Sequence, residues 1–337
     1  MRKEVIGMRH SPPDDETVRS VIALAVRAPS IHNSQPWRWV TGASSVHLFA
    51  DPDRQLPATD PDGRDLLVSC GAALHHLRVA FAAAGWATTV HRLPNLAEPA
   101  HLAAVECSPR AATAGDVALA AAIPRRRTDR RSFSSWHVPG DLLDILAERA
   151  AKQGAILAPA TDPHDRFQLA SAIAEAARQQ ETNPEYASEL AAWAGRSFAA
   201  TEGVPSANTP APHTQHGDTR MRTFPYGALA QEPESWEEDA GELMVLGTSS
   251  DDRMSQLRAG EAMSAVLLAA TDFQLATCPL SQPLEIGTTR AFLRDRVLDG
   301  TAFPQMVLRI GWAPANSHPL PAAPRRALDE VLSRLPY

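Results

Sequence analysis

A chain of 337 residues is long enough to bury a sizeable core, and its length suggests about two domain-sized units. Its 44% hydrophobic and 21% charged residues are ordinary for a globular protein, and a net charge of −7 gives no general attraction to nucleic acid or anionic lipid. Three cysteines without a CxxC pair, Cys70, Cys107 and Cys278, argue against a disulfide framework or a zinc site and point to a reducing compartment. No uncharged apolar run of membrane-spanning length stands out, and the opening MRKEVIGMRH lacks the apolar core of a signal peptide. The expectation is a cytoplasmic protein with neither a nucleic-acid nor a membrane partner.

In chain order, Ser11-Pro12-Pro13-Asp14 predicts a helix start, with a hydroxyl as N-cap and acids following. Val18, Val21, Ile22, Ala25 and Val26 fall on one face, and Pro29 predicts an end at Ala28. Pro29 to Trp39 is then a loop running into an extended stretch. Val46 to Phe49 reads as a strand and Asp51 to Gly63 as a loop. Leu66 to Ala84 is apolar almost all round, which predicts a buried central helix. Thr88 to Leu93 and His101 to Glu106 read as strands.

Residues 189 apart repeat: Gly71 with Gly260, Ala73 with Ala262, Ala80 with Ala269, and Ala87-Thr88 with Ala276-Thr277. Each set marks a long apolar helix with an Ala-Thr exit toward a proline, Pro94 or Pro283. The repeat predicts two copies of one α+β unit, residues 1–124 and 125–337, a fused equivalent of a two-fold dimer. The second half carries an insertion at about 195–240, rich in Pro, Thr, His and Gly and then acidic from Glu232 to Asp239. A loop that long inside a compact unit is usually a lid, a binding loop or a disordered segment.

Three segments could carry chemistry. Ala28-Pro29-Ser30-Ile31-His32-Asn33-Ser34-Gln35-Pro36-Trp37 offers a hydroxyl and two carboxamides between prolines, a loop for a polyol or heteroaromatic ligand, or simply a rigid turn. Arg125 to Arg131 holds five arginines and one acid. If extended, it points Arg126, Thr128 and Arg130 to one side, where two guanidinium forks and a hydroxyl suit a phosphate; the plain alternative is a solvated charge run. Thr277-Cys278-Pro279-Leu280-Ser281-Gln282-Pro283 is by itself only a stiff turn. No GxGxxG, Walker loop or GxSxG elbow occurs, and His213 and His216 lack a third metal ligand nearby.

APSIHNSQPW resembles the FMN-contact loop of the nitroreductase family, of the form APSxxNxQPW. Arg126-Arg127-Thr128-Asp129-Arg130 resembles that family's phosphate motif RxSxR, with Thr128 in place of serine. Pro324-Arg325-Arg326-Ala327-Leu328-Asp329-Glu330-Val331 resembles its C-terminal signature, with Ala323 where a lysine is often found. The motif order, loop first and arginines about a hundred residues later, is similar to the Acg-type nitroreductase-like proteins of actinobacteria, which look like two family units fused.

The resemblance implies an α+β nitroreductase-like fold with one FMN in the seam between the halves. The first half would supply Pro29, Ser30, Ile31, Asn33 and Gln35; the second, Arg126, Arg127, Thr128, Arg130, Leu280, Ser281, Gln282 and Arg325. The reciprocal site has only Arg9-His10-Ser11 and Ala158 to Thr161 to draw on, so one site is expected. The implied activity is reduction of a nitro, quinone or similar electron-poor small molecule by NADH or NADPH through FMN, with no catalytic side chain named and no metal. The rival is a protein that sequesters FMN beneath a lid, with Arg220, Arg222, Phe224 and Tyr226 near its end. A third reading is a structural protein with a decayed site. The chain would act as a monomeric pseudo-dimer or as a homodimer.

Overall fold

The computed structural model describes residues 11–196, 200–229, 239–314 and 317–335. The first unit runs α1 (Asp15–Ala25), β1 (Trp37–Thr41), β2 (Ser45–Ala50), α2 (Arg64–Ala83), β3 (Trp86–Arg92) and β4 (His101–Pro109). A linking helix, α3 (Ala114–Ala122), carries a Thr113–Asp116 capping box. The second unit begins with α4 (Gly140–Ala151) and β5 (Ile156–Pro159), followed by α5 (Pro163–Glu181) and α6 (Pro184–Trp193). Its insertion forms only short pairings, β6 (Ala194–Arg196) with β7 (Val204–Pro205), and β8 (Gln215–His216) with β9 (Thr219–Arg220). The unit resumes with β10 (Glu242–Thr248), α7 (Arg253–Asp272), β11 (Ala276–Leu280), α8 (Gln282–Glu285), α9 (Gly287–Arg296) and β12 (Phe303–Gly311). A short α10 (Leu328–Val331) and β13 (Leu332–Arg334) follow.

The two sheets share one plan. The first is ordered β1-β2-β4-β3 and the second β5-β10-β12-β11, every one of these neighbours antiparallel. One element crosses over. β13 pairs in parallel with β1, so the last residues of the segment 125–337 complete the first unit's sheet rather than the second's.

The central helices correspond end to end: α2 and α7 are 20 residues each, and the second starts and ends 189 residues after the first. They pack face to face where both carry glycine. A Cβ on Gly71 would lie 2.0 Å from the Leu257 carbonyl oxygen, and one on Gly260 would lie 2.0 Å from that of Val68. Leu257 is the repeat counterpart of Val68, so the two close approaches are the same contact made twice. His75 meets its own counterpart, Nδ1 lying 2.8 Å from Ser264 Oγ. Long and apolar enough to cross a membrane, α2 is instead buried among α7, α1 and α3.

Local rules moved some boundaries. The N-cap of α1 is Asp14, whose carboxylate accepts from Thr17 N at 2.8 Å, and not Ser11; Pro12-Pro13 stay outside the helix. The helix ends at Ala25, before the predicted Ala28, with carbonyls that another segment must satisfy. Asp60 caps α2 from the preceding loop, accepting from Asp65 N and Leu66 N at 2.9 and 2.8 Å.

Candidate functional site

Between α1 and β1 the chain makes a strained turn. His32, Asn33 and Gln35 have φ of 46°, 55° and 51°, left-handed values that non-glycine residues seldom adopt and that cluster at functional sites. Side chains hold this shape. Ser30 Oγ accepts from Gln35 N at 2.9 Å, and Ile31 N donates to Ser69 Oγ at 3.1 Å, pinning the loop to α2. Trp37 and Trp39 anchor it from below, fully buried in the core and away from any cleft.

The loop borders a cleft of two lobes, which share Pro29, Ser30, His32, Thr128 and Arg130. Arg27, Arg126, Arg127, Arg130 and Arg325 line the first lobe, and no Asp or Glu does. The arginine segment leaves α3 in a turn, Arg126 N donating to Ala122 O, and then lies along β11, Asp129 N donating to Thr277 O. Arg126, Thr128 and Arg130 face the cleft as alternation predicts, while Asp129 and Arg131 pair with each other at 2.6 Å. Arg127 also reaches the lobe, held by the carbonyls of Leu320 and Pro124.

Buried guanidiniums without counter-charge repel one another. Burial, with Arg127, Arg27 and Arg130 close by, pushes Arg126 down to about 10. Burial and Arg126, Arg27 and Arg127 push Arg325 down to about 9. Nε and Nη1 of Arg126 and Nε of Arg27 are buried without a hydrogen-bond partner. A bound dianion would supply the missing acceptors and relieve the repulsion, so these residues fit a phosphate group.

The second lobe is lined by apolar Met221, Met263, Met306, Val68 and Leu280, by polar Ser69, Asp65, Ser281 and Gln282, and by Arg130 and Arg222. Such a slot suits a flat heteroaromatic ring. Ser281 Oγ donates to Glu285 at 2.7 Å and Gln282 Nε2 to Gln180 at 2.8 Å, so this turn's side chains are committed to neighbours. The insertion closes one wall. Phe224 stacks beneath Arg130, whose Cζ is 5.1 Å from the ring centroid, and Arg222 is ion-paired to Glu285 and bonded to Tyr186. Arg220 and Tyr226 take no part: Arg220 pairs with Glu181 and Tyr226 is exposed.

The structure thus gathers twelve of the thirteen residues the sequence singles out: Pro29, Ser30, Ile31, Asn33, Arg126, Arg127, Thr128, Arg130, Leu280, Ser281, Gln282 and Arg325. Two stand differently from expectation. Gln35 lies off the cleft, its carboxamide donating to Thr201 O at 2.9 Å and accepting from Arg326 N at 2.9 Å, because the strained loop needs side-chain bonds to dock the insertion and the C-terminal segment. Arg325 lines the phosphate-like lobe, yet all five of its N–H groups are spent on the carbonyls of Val26, Arg27, Ala28, Ala323 and Pro324. It ties down the three residues that follow α1, whose own last turn has no basic residue. Asn33 lines the cleft while donating to Gly203 O and Pro324 O, both at 3.0 Å. Asp65 and the three methionines carry no local mark in the sequence, since only the packing of distant elements collects them; Arg27, directly before Ala28-Pro29-Ser30, does lie beside a recognisable segment.

The repeat predicts a reciprocal place, and charged side chains pair with one another there. Arg92, the counterpart of Ser281, bonds Glu261 with Nε and Nη2 at 2.6 and 2.8 Å. Arg78 reaches the same carboxylate at 2.5 Å and Gln153 at 2.8 Å. Arg9-His10, the weak candidate for that site, lies outside the described residues.

An α+β protein with two sheets of like strand order and a cleft that joins an arginine-rich lobe to a methionine-lined one is the class that this geometry defines. No family model matches the chain. It is 48% identical over 321 residues, 95% of its length and 92% of the relative's, to "Putative NAD(P)H nitroreductase Rv3131" of Mycobacterium tuberculosis (strain ATCC 25618 / H37Rv). It is 39% identical to "Putative NAD(P)H nitroreductase acg" of the same strain, over 94% of this chain and 95% of that one. The chain therefore belongs to the Acg-type, nitroreductase-like family. Among solved structures, the "FMN and NADPH-dependent nitroreductase NfnB" of "sphigopyxis sp. strain HMH" superposes on 65% of this chain and 99% of its own, at 17% identity and a TM-score of 0.39, too loosely to carry weight.

Proposed function

We propose that this chain is an FMN-binding oxidoreductase of nitroreductase type, which uses NADH or NADPH to reduce a nitro, quinone or similar electron-poor small molecule. One observation carries the reading: an acid-free cluster of buried arginines with unmet donors opens directly into a methionine-lined slot, at the seam of two units. Arg126, Arg27 and Arg130 would hold the FMN phosphate, Pro29, Ser30 and Thr128 the chain between, and the turn at Leu280 to Gln282 the ring edge. When bound, the flavin supplies the two-electron chemistry. The residues exclude water, fix the ring and neutralise the phosphate.

The shared strand order and the 189-residue correspondence support reading residues 1–124 and 125–337 as a fused dimer, with β13 returned to the first unit. The ion pairing of Arg92, the counterpart of Ser281, with Glu261 supports one flavin per chain. Purified protein is expected to be yellow, and anaerobic NADH or NADPH to bleach it. A colourless protein that takes up no added FMN overturns the reading.

A second reading rests on the wall built by Arg222 and Phe224. Fastened to Glu285, that wall covers the ring lobe where a nicotinamide must stack, and the protein then stores flavin with little turnover. Yellow colour that persists under excess NADH and NADPH, yet bleaches with dithionite, favours storage.

A further inference from the structure

One buried carboxyl in the cleft has no role in binding a flavin. Asp65, in the first turn of α2, lines the ring lobe at 2% exposure. Its two oxygens accept no hydrogen bond. Arg64 Nη2 lies 2.7 Å from Oδ1 but is not aligned to donate, and Arg64 Nη1 is committed to Gln305 O at 2.6 Å. The helix start has no need of Asp65, because Asp60 caps it. Ser69 donates to the backbone carbonyl of Asp65 at 2.6 Å, which fixes the turn at the lobe that Asp65 lines.

The charges around it come from four directions: Arg64 beside it, Asp60 from the preceding loop, Glu285 from α8 and Arg222 from the insertion. Burial dominates them and raises the carboxyl to about 7. His32, across the lobe, is held far below its ordinary value by burial and by Arg222 and Arg130, so it stays neutral and does not compete as an acid.

We propose that Asp65 keeps a proton in the ring lobe and hands it to the electron acceptor as that molecule is reduced. A quinone reduced by hydride at a bound flavin would be a hydroquinone monoanion, one proton short. The O–H bond of Asp65 breaks, an O–H bond forms on the anion, and neutral hydroquinone departs. The carboxylate left behind faces Arg64, and solvent returns the proton. The proposal rests on the flavin reading and goes beyond it, since a solvent-supplied proton would need no acid here.

The test uses the full-length holoprotein and its Asp65→Asn and Asp65→Glu variants, with benzoquinone as acceptor. Two readouts are taken: the visible spectrum of the oxidised protein from pH 5 to 9, and the rate at which dithionite-reduced protein is reoxidised by benzoquinone over that range. Wild type is expected to show a spectral inflection near pH 7, with a rate that falls as pH rises through it. Asp65→Asn is expected to lose both and to react about a hundredfold more slowly, the low end for a positioned acid; Asp65→Glu recovers the slope. A yellow wild type with no inflection, or Asp65→Asn with wild-type rate and profile, overturns the proposal and leaves the flavin reading intact. A colourless wild type overturns both. If Asp65→Asn loses its flavin, the wild-type inflection and the Asp65→Glu profile decide.

Discussion

Two places beside the central helix pair, one around Glu261 and one around Arg126, differ in how their charges are paired. Around Glu261, 1% exposed at its side chain, Arg78 and Arg92 meet a carboxylate and close the space. Around Arg126 the guanidiniums meet no carboxylate, donors stay unpaired, and the space stays open. Side-chain pairing, rather than fold, therefore decides which seam can take a ligand. A filled seam contributes stability without a ligand; an open one stores a charge imbalance that only an anion resolves.

The largest effect is expected where both places lose their frame. Gly260→Leu drives a side chain into the Val68 carbonyl, 2.0 Å from the first added carbon, and the backbone cannot yield without parting α2 from α7. We expect little or no folded protein, read as loss of the cooperative urea transition; a normal midpoint would remove the helix contact from the account. Glu261→Gln is next. It leaves two half-buried arginines facing a neutral amide, at a cost of up to about 3 kcal/mol, the value for a buried pair missing one partner. Denaturant unfolding measures it, and flavin content should hold in the protein that remains folded.

The contrast was half legible from sequence. The turn after α1 and the arginine run announce themselves, since prolines, carboxamides and clustered guanidiniums crowd into short segments. The central helices were also legible, because Gly71 and Gly260 sit at matching places in matching apolar runs. What stayed hidden depends on contacts between distant segments. Nothing local says that Arg325 spends itself on the end of α1, that Gln35 fastens Thr201, or that Asp65 faces a cleft while its neighbour Asp60 caps the helix. The return of β13 to the first sheet is likewise a long-range pairing with no mark in Leu332–Arg334 itself. The acidic run beginning at Glu232 lies outside the described residues up to residue 238.

Opposite signs at the open and filled seams are the sharper prediction. Removing Glu261 destabilises the protein with or without flavin. Arg126→Ala combined with Arg130→Ala removes like-charged groups that repel in the empty cleft, so the apoprotein should be as stable as wild type or more so. The same variant loses charge-assisted bonds worth roughly 1.5–3 kcal/mol each, or about two to four orders of magnitude in FMN affinity for the pair. Fluorescence titration of apoprotein with FMN measures the loss. Full flavin retention would remove the phosphate assignment and, with it, the contrast between the seams.

The smallest effect comes from Asp65, and its sign follows from linkage. Its carboxyl sits at about 7 in the folded protein against 3.8 as a free side chain, so the folded state holds a proton that the unfolded state gives up between those values. Stability attributable to this residue is therefore greatest below pH 3.8, falls as pH rises toward 7, and stays at its minimum above. Asp65→Asn removes the penalty without removing the side chain's shape. Its melting temperature should exceed that of wild type by at least a few degrees at pH 8, and the gain should vanish near pH 4. An equal shift at both pH values would mean that packing, not the proton, sets the effect. The open seam would then differ from the filled one only in its arginines.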